Sequence, residues 1–120
     1  MTAVRLAPPN SLLLVLDPRS GVLPQSMTRH LVASTESGLA IGTVAEQDGE
    51  TEVWLGLSRN LPVDPRLSLV WTGSLRTTGR LAILTVYDEL VLETRARRVA
   101  EVQVWTNDPA EPDVVCVAVD

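Results

Sequence analysis

The sequence predicts an all-β fold, mainly antiparallel, arranged as a small β-sandwich or partly open barrel with one short helix. Its apolar segments are short and rich in Val, Leu, Ile, Thr and Trp, and Pro, Gly, Asn and Asp separate them, which is typical of strands and turns. The segments recur about every 12 residues, as in sandwiches and small barrels. A chain of 120 residues suits one modest core, so we expect a single β-sandwich-like domain over 1–120.

Nine strands are expected, because each of these segments carries β-formers and ends at a turn-forming residue. In chain order they are 3–7, 11–17, 38–46, 51–58, 66–72, 80–87, 91–96, 99–105 and 113–119.

The short helix is expected over 27–33, after a connection that crosses the surface. Residues 17–25 contain two prolines and a glycine, which predicts an irregular connection. Ser26 is a good N-cap, and it follows Pro24 closely. The apolar residues at neighbouring helical positions are Met27, Leu31 and Val32.

The strongest local turn signal is the pair Asp48-Gly49. Asp-Gly favours the positive φ values of a two-residue type I′ hairpin. Such a turn would join the strands on either side of it and would place Val44 opposite Val53. In that register Trp54 points away from the core face.

The turn after Tyr87 has no clear register. A two-residue loop of Asp88 and Glu89 would pair Leu84 with Glu93. A three-residue loop matches the apolar faces better but lacks the usual glycine. Both registers stay open.

The charge of the chain favours a basic protein partner. Fifteen acidic residues against ten basic ones, all arginine, give a net charge of −5. Nucleic acid is not expected as a partner, because phosphate binding needs a cationic surface. An acidic surface speeds encounter with a basic protein, although it also serves solubility alone.

Neither a membrane segment nor a secretory signal is expected. The longest apolar runs are too short to cross a bilayer, and the run at 11–16 is flanked by prolines rather than by a signal-peptide pattern. We therefore expect a cytoplasmic protein, and its oligomeric state stays open.

Residues for catalysis or metal binding are sparse. The only histidine, His30, has no serine elbow or cysteine partner, so no catalytic residue and no enzyme activity are expected. One Cys and one His cannot supply the four ligands of a structural zinc site, so we expect no metal and no cofactor. Cys116 lies in an apolar run and is expected to act as a small core residue.

The densest basic stretch is Arg95-Ala96-Arg97-Arg98, between two expected strands. Its arginines either contact a phosphate or carboxylate on a partner, or form a solvated turn with internal ion pairs. At this net charge the sequence favours the solvated turn.

Acidic turns and tryptophans form the candidate partner-binding surface. One acidic cluster surrounds the expected hairpin tip, and the other lies in the proline-broken loop before the last strand. Each of Trp54, Trp71 and Trp105 either fills the core in place of the absent Phe or anchors a partner. The candidate partner-binding residues are Glu46, Asp48, Glu50, Glu52, Trp54, Trp105, Asp108, Glu111 and Asp113.

In the order of these features the sequence resembles the competence-associated nuclease-inhibitor family and related bacterial immunity proteins. The resemblance implies a β-sandwich-like, non-enzymatic inhibitor that neutralises a nuclease-like toxin by covering its active site. It runs through Ser11-Leu12-Leu13-Leu14-Val15-Leu16-Asp17, the expected helix, the strands of 38–58, residues 81–94, Val102-Gln103-Val104-Trp105-Thr106, Pro109-Ala110-Glu111 and the last apolar strand.

Two alternative functions are compatible with the residues. One is a β-barrel that encloses a small apolar ligand. The other is a structural or assembly subunit that adds an exposed edge, such as 113–119, to a neighbour's sheet.

Overall fold

The structure is a computed structural model that describes residues 1–27 and 30–120. Within these residues the fold consists of ten strands and three short 3-10 turns. The turns are Pro9–Ser11, Glu46–Asp48 and Ser58–Asn60. The strands are β1 (Thr2–Leu6), β2 (Leu12–Leu16), β3 (Val32–Ser34), β4 (Gly38–Gly42), β5 (Thr51–Leu57), β6 (Ser68–Arg76), β7 (Arg80–Leu84), β8 (Leu90–Arg95), β9 (Val99–Thr106) and β10 (Val114–Val119).

The strands form two five-stranded sheets that pack face to face. The first sheet has the order β1-β5-β10-β9-β6, and the second has the order β3-β4-β2-β7-β8. Neighbouring strands are antiparallel except for β5 and β10, which are parallel. The expected mainly antiparallel, all-β sandwich is confirmed.

This topology overturns the barrel and the sheet edge that the strand pattern suggested. The two sheets remain separate, so the expectation of a ligand-enclosing barrel is wrong. The expectation of an exposed edge at 113–119 is also wrong, because β10 is the middle strand of the first sheet and is hydrogen-bonded on both sides.

The core between the sheets consists of Leu, Val, Ile and Ala side chains. Leu13 comes from the second sheet and Val117 from the first, and both are fully buried. Trp71 packs against this core from β6. Its ring lies over Gly73, where a Cβ would come within 2.7 Å of a ring carbon. Of the three tryptophans, Trp71 is the one that supplies aromatic mass to this core.

The middle strand of each sheet is apolar throughout. β2 reads Leu-Leu-Leu-Val-Leu, and its second face is covered by a smaller apolar cluster that includes Leu23 and Met27 of the connection after β2. β10 is buried at every position. A strand covered on both faces requires apolar residues at every position rather than at alternate ones.

All nine expected strands are present, but the expected helix over 27–33 is not. Val32 and Ala33 belong to β3, which pairs with the edge of β4. Val32 lies directly opposite Ile41 and packs against the core, and this pairing outweighs the weak helical pattern. Residues 28 and 29 of the expected helix lie outside the described residues.

The expected Asp48-Gly49 hairpin is wrong, because β4 and β5 lie in different sheets. Val53 pairs with Val4 and Val115 instead of with Val44. A type I′ turn needs positive φ at both central residues, whereas here only Gly49 has it, at +129°. The chain passes through a 3-10 turn and crosses from the second sheet to the first.

The turn after Tyr87 follows neither of the two registers considered. Leu84 pairs with Leu90, and a bulge separates this pair from the next one along β7. Asp88 adopts a positive φ of 61°, which closes a longer loop without glycine.

Candidate functional site

Both acidic segments lie at one end of the first sheet because two strands run parallel. β5 begins just after the first segment, and β10 begins just after the second. The backbone N–H of Val44 donates to the carbonyl oxygen of Pro112 at 2.9 Å, and the N–H of Glu52 donates to that of Asp113 at 2.8 Å. The resulting acidic end comprises Glu46, Asp48, Glu50, Glu52, Asp108, Glu111 and Asp113.

The carboxylates of the acidic end face solvent. Six of the seven residues are exposed, and Glu52 is half-buried. The pKa of Asp108 is lowered because its carboxylate accepts backbone hydrogen bonds from Glu111 and Ala110. Asp108 therefore ionises more readily than an ordinary Asp carboxyl while it shapes its own loop.

Asn107 holds the second acidic segment in place. Its Oδ1 accepts hydrogen bonds from the backbone N–H groups of Asp113 at 3.2 Å and Val114 at 3.0 Å. Its Nδ2 donates to Asp113 Oδ1 at 2.6 Å. The Thr106 hydroxyl donates to the carbonyl oxygen of Asp108 at 2.9 Å. The carboxylates of this loop are thus presented by a backbone fixed at both ends.

Two arginines lie beside the acidic end and offset only part of its charge. Arg5 Nη2 lies 3.8 Å from Glu52 Oε2. Arg66 pairs with Asp64 at 2.7 Å, and the pKa of Arg66 is raised by this partner and, less strongly, by Glu52 and Asp113. The salt bridge of Arg66 is made with Asp64, which is not part of the acidic end. Most carboxylates of the acidic end therefore have no cationic partner in the described chain.

A row of side chains crosses the outward face of the first sheet beside the acidic end. Trp54 of β5 is in register with Cys116 of β10, which is in register with Trp105 of β9. Trp105 in turn is in register with Leu69 of β6, which is 44% exposed. We call Trp54, Cys116, Trp105 and Leu69 the tryptophan face. Two strand spacings of about 5 Å separate the two tryptophans, which are both half-buried.

Each indole is held by the residue two positions before it. Trp54 Nε1 donates to Glu52 Oε1 at 3.0 Å, and Trp105 Nε1 donates to Gln103 Oε1 at 3.2 Å. Because Glu52 also belongs to the acidic end, the two surfaces are continuous. The sequence left the roles of Trp54 and Trp105 open, and both lie outside the core between the sheets.

Cys116 is buried beneath this face, as expected of a small apolar residue. Its Sγ lies 3.5 Å from Met1 Sδ, and its exposed fraction is 0%. Desolvation raises the pKa of the thiol to about 12. The thiol therefore carries almost no thiolate at neutral pH and contributes packing rather than reactivity.

His30 is exposed and lies beside the second acidic segment, because it lines a pocket together with Pro109 and Ala110. In the described residues, no group of three or more His, Cys, Asp and Glu is arranged to hold a metal ion. No helix among them is long and apolar enough to span a membrane.

Sequence reasoning missed two contributors to this surface. Leu69 was inside an expected strand, and only its register with Trp105 shows that it extends the tryptophan face. Asn107 was within the acidic loop, and the signal for it was an Asn just before a turn, a position where the side chain commonly bonds the backbone.

Together, the fold and the site define a two-sheet β-sandwich with an acidic end beside a tryptophan-bearing face. Among solved structures, the chain is similar to ComJ of Bacillus subtilis, described as an inhibitor of the DNA degrading activity of NucA, at 13% identity and a TM-score of 0.62. The alignment covers 99% of this chain and 94% of that one. The resemblance expected from the sequence is thus confirmed at the level of the fold. No model of a known protein family matches the chain. No curated protein matches it either.

Proposed function

We propose that this protein is a non-enzymatic inhibitor of the immunity type, which binds a basic, nuclease-like protein and covers its active site with the acidic end. The observation that carries the proposal is the hydrogen-bonded junction of the two acidic segments, through Val44 with Pro112 and Glu52 with Asp113. It gathers carboxylates from distant parts of the sequence on one surface.

The chemistry of a nuclease explains why such a surface would block it. A nuclease binds a polyanion, so the groups around its active site are cationic. Carboxylates spaced along a rigid surface offer the same charge as the phosphates of the substrate. The fixed backbone at Asn107 reduces the ordering entropy that a flexible acidic loop would lose on binding.

The tryptophan face would supply the apolar part of the same interface. Charge pairs at a wet rim contribute mainly to encounter rate and orientation, whereas partly buried aromatic side chains dominate affinity. Trp54 and Trp105 are large, and their indole N–H groups are already hydrogen-bonded. Leu69 adds exposed apolar area at the far end of the row.

The fold of ComJ supports a protein partner of this kind, since that protein is described as inhibiting a DNA-degrading activity. We place the inhibitor in the cytoplasm, where it would protect the cell that makes it. The partner to be tried first is a nuclease-like protein encoded by the neighbouring reading frame.

The decisive experiment measures DNA degradation by that nuclease at increasing concentrations of this protein. We expect stoichiometric inhibition by the native chain and a large loss of inhibition when Asp48, Glu50, Asp108 and Glu111 are all replaced by Ser.

A matched control makes the same change in charge on the other sheet. It combines E36S, D88N, E89S and E93S, which alter exposed residues that belong to neither acidic segment. The control should inhibit like the native chain. Equal inhibition by both quadruple variants would exclude the acidic end as the contact surface, and no inhibition by the native chain would exclude this nuclease as the partner.

A further inference from the structure

An arginine-lined cleft lies at the end of the sandwich opposite the acidic end. β5 and β10 run from the acidic end, so residues that follow them lie at the far end, and so does the turn that precedes the antiparallel β9. The cleft has a volume of about 290 Å³. Its lining comprises Arg59, Arg95 and Arg97, the apolar Leu57, Ala96 and Val119, and Ser58 and Asp120.

The backbone that carries two of these arginines is fixed by a neighbouring turn. The N–H of Ala96 donates to the carbonyl oxygen of Gly79 at 3.0 Å. The buried Thr77 donates its hydroxyl to the carbonyl oxygen of Arg97 at 2.7 Å and its N–H to that of Arg98 at 2.9 Å. Gly79 has a φ of +122°, which L side chains rarely adopt. The arginines of this turn are therefore presented on a defined backbone.

The three arginines of the cleft are not consumed by internal ion pairs. Within residues 1–27 and 30–120, the salt bridges of arginine involve Arg5, Arg66, Arg76 and Arg80. Asp120 brings one side-chain carboxylate to a site with three guanidinium groups. Arg95 to Arg98 were expected to form a solvated turn with internal ion pairs. The expectation of ion pairs is wrong, because none of these arginines forms one among the described residues.

The size and lining of the cleft indicate the chemistry of its ligand. Guanidinium groups form paired, charge-assisted hydrogen bonds with phosphate oxygens. Leu57, Ala96 and Val119 form an apolar wall beside them, which bare phosphate would leave uncovered. The cleft, at about 290 Å³, lies at the lower limit of small-molecule sites, which span about 300 to 1,000 Å³, so it suits a small ligand. A long polyanion would extend beyond the cleft and would be repelled by the rest of the chain, whose net charge is −5.

We propose that this arginine cleft binds a small phosphate monoester. The phosphate contacts Arg59, Arg95 and Arg97, and the organic group lies against the apolar wall. This site is separate from the acidic end, and it does not depend on the identity of the partner there.

The test is an amide NMR titration of the full chain at constant ionic strength, with phenyl phosphate as the probe. We expect saturable shifts at the amides of Ala96 and Val119. Inorganic phosphate, which has no apolar group, should bind more weakly, and so should benzoate, which keeps the ring but has a single negative charge.

Two substitutions with opposite expected effects on affinity make the test specific. R97Q should weaken phenyl phosphate binding by about tenfold or more, because a charge-assisted hydrogen bond is lost. D120N should strengthen it, because a competing carboxylate is removed. R76Q, which removes an exposed arginine outside the cleft, is the matched control and should bind like the native chain.

The fold of each variant is checked from the amide spectrum away from the cleft. If R97Q perturbs that spectrum, R97K replaces it and should still weaken binding, since a lysine lacks the planar fork. Three results would each overturn the proposal. They are shifts that do not saturate, an affinity of the Arg97 variant (R97Q or R97K) equal to that of R76Q, and equal affinities of the native chain for phenyl phosphate and inorganic phosphate.

Discussion

The backbone N–H of Glu52 donates a 2.8 Å hydrogen bond to the carbonyl oxygen of Asp113. The bond joins the start of β5 to the residue that precedes β10, and so connects the two acidic segments. The carboxylate of Glu52 also accepts a hydrogen bond from the indole of Trp54. One residue therefore links the acidic end to the tryptophan face, and the two form a single continuous surface.

Association with a basic partner should depend strongly on salt. Exposed carboxylates act over about 10 Å at 0.1 M salt and over much less at 1 M. We expect the association rate to fall as salt rises, and the D48S, E50S, D108S and E111S combination to slow it mainly at low salt. Stopped-flow fluorescence would measure both rates. A constant difference between native and variant rates from low to high salt would contradict long-range electrostatic attraction.

The three tryptophans should separate into two classes. W54A and W105A should weaken binding by at least about 2 kcal/mol each, as truncation of an interface anchor does. W71A should instead lower the free energy of unfolding by about 3 kcal/mol, because it leaves a cavity beside the core. Calorimetric titration and urea unfolding of all three variants would measure the two effects. The outcome that contradicts the assignment is W71A affecting affinity more than W54A.

Asp17 should make stability depend on acid. Its side chain is fully buried. Burial alone would raise its pKa, but hydrogen bonds from Thr78 and from the backbone N–H of Arg19, together with the charge of Arg80, lower the pKa overall. A lowered pKa contributes stability above the unfolded value of about 3.9, which is lost as pH falls through the folded value.

The variant D17N should therefore be less stable at pH 7, by about 1 to 3 kcal/mol for the weakened hydrogen bonds. The gap between the native chain and D17N should shrink as pH falls below about 4, because the native chain then loses the contribution of the carboxylate. Urea unfolding across that range gives both free energies. A gap that stays constant with pH would show that the Asp17 charge is not involved.

Nine of the ten strands were predictable because each leaves a local pattern, whereas their pairing partners were not. The apolar run that became β10 was found, yet its parallel pairing with β5 joins segments far apart in sequence and is set by packing of the two sheets. Asp48-Gly49 shows the same limit, since a good local hairpin signal gave way to a crossover between sheets. β3 was missed because three residues at an edge carry little pattern of their own.

The members of the candidate surface were predictable in kind and not in arrangement. Turn carboxylates are visible in any sequence, but only strand direction decides whether Glu50 and Asp108 share an end. Trp54 and Trp105 alternate with residues of the core face, which predicts an outward position once the face is known. The position of Cys116 between them follows from the register of three strands and has no local signal.

Cys116 should resist modification in the native protein. With a pKa of about 12, the thiol has far less thiolate than an exposed cysteine at pH 8. Alkylation with iodoacetamide should be slower than in urea by about a thousandfold or more, as the thiolate fractions imply. W54A should react faster than the native chain, because it uncovers one side of the thiol. Mass spectrometry would follow the alkylation of the native and the unfolded protein. Alkylation of the native protein at the rate of the unfolded protein would contradict the burial of the thiol.

Asn107 should matter for binding although it carries no charge. The variant N107A removes the hydrogen bonds that hold Asp113 and Val114, while all seven carboxylates of the acidic end remain. If a fixed loop is what lowers the entropy lost on binding, N107A should weaken affinity by about 1 to 2 kcal/mol, mostly through faster dissociation. The matched control is the neutral variant N60A. Asn60 lies in the turn that follows β5, at the end of the sandwich opposite the acidic end. Surface plasmon resonance at 0.15 M salt resolves both rates. Should N107A and N60A bind alike, the charges alone would be sufficient and the rigidity of the loop would have no role in recognition.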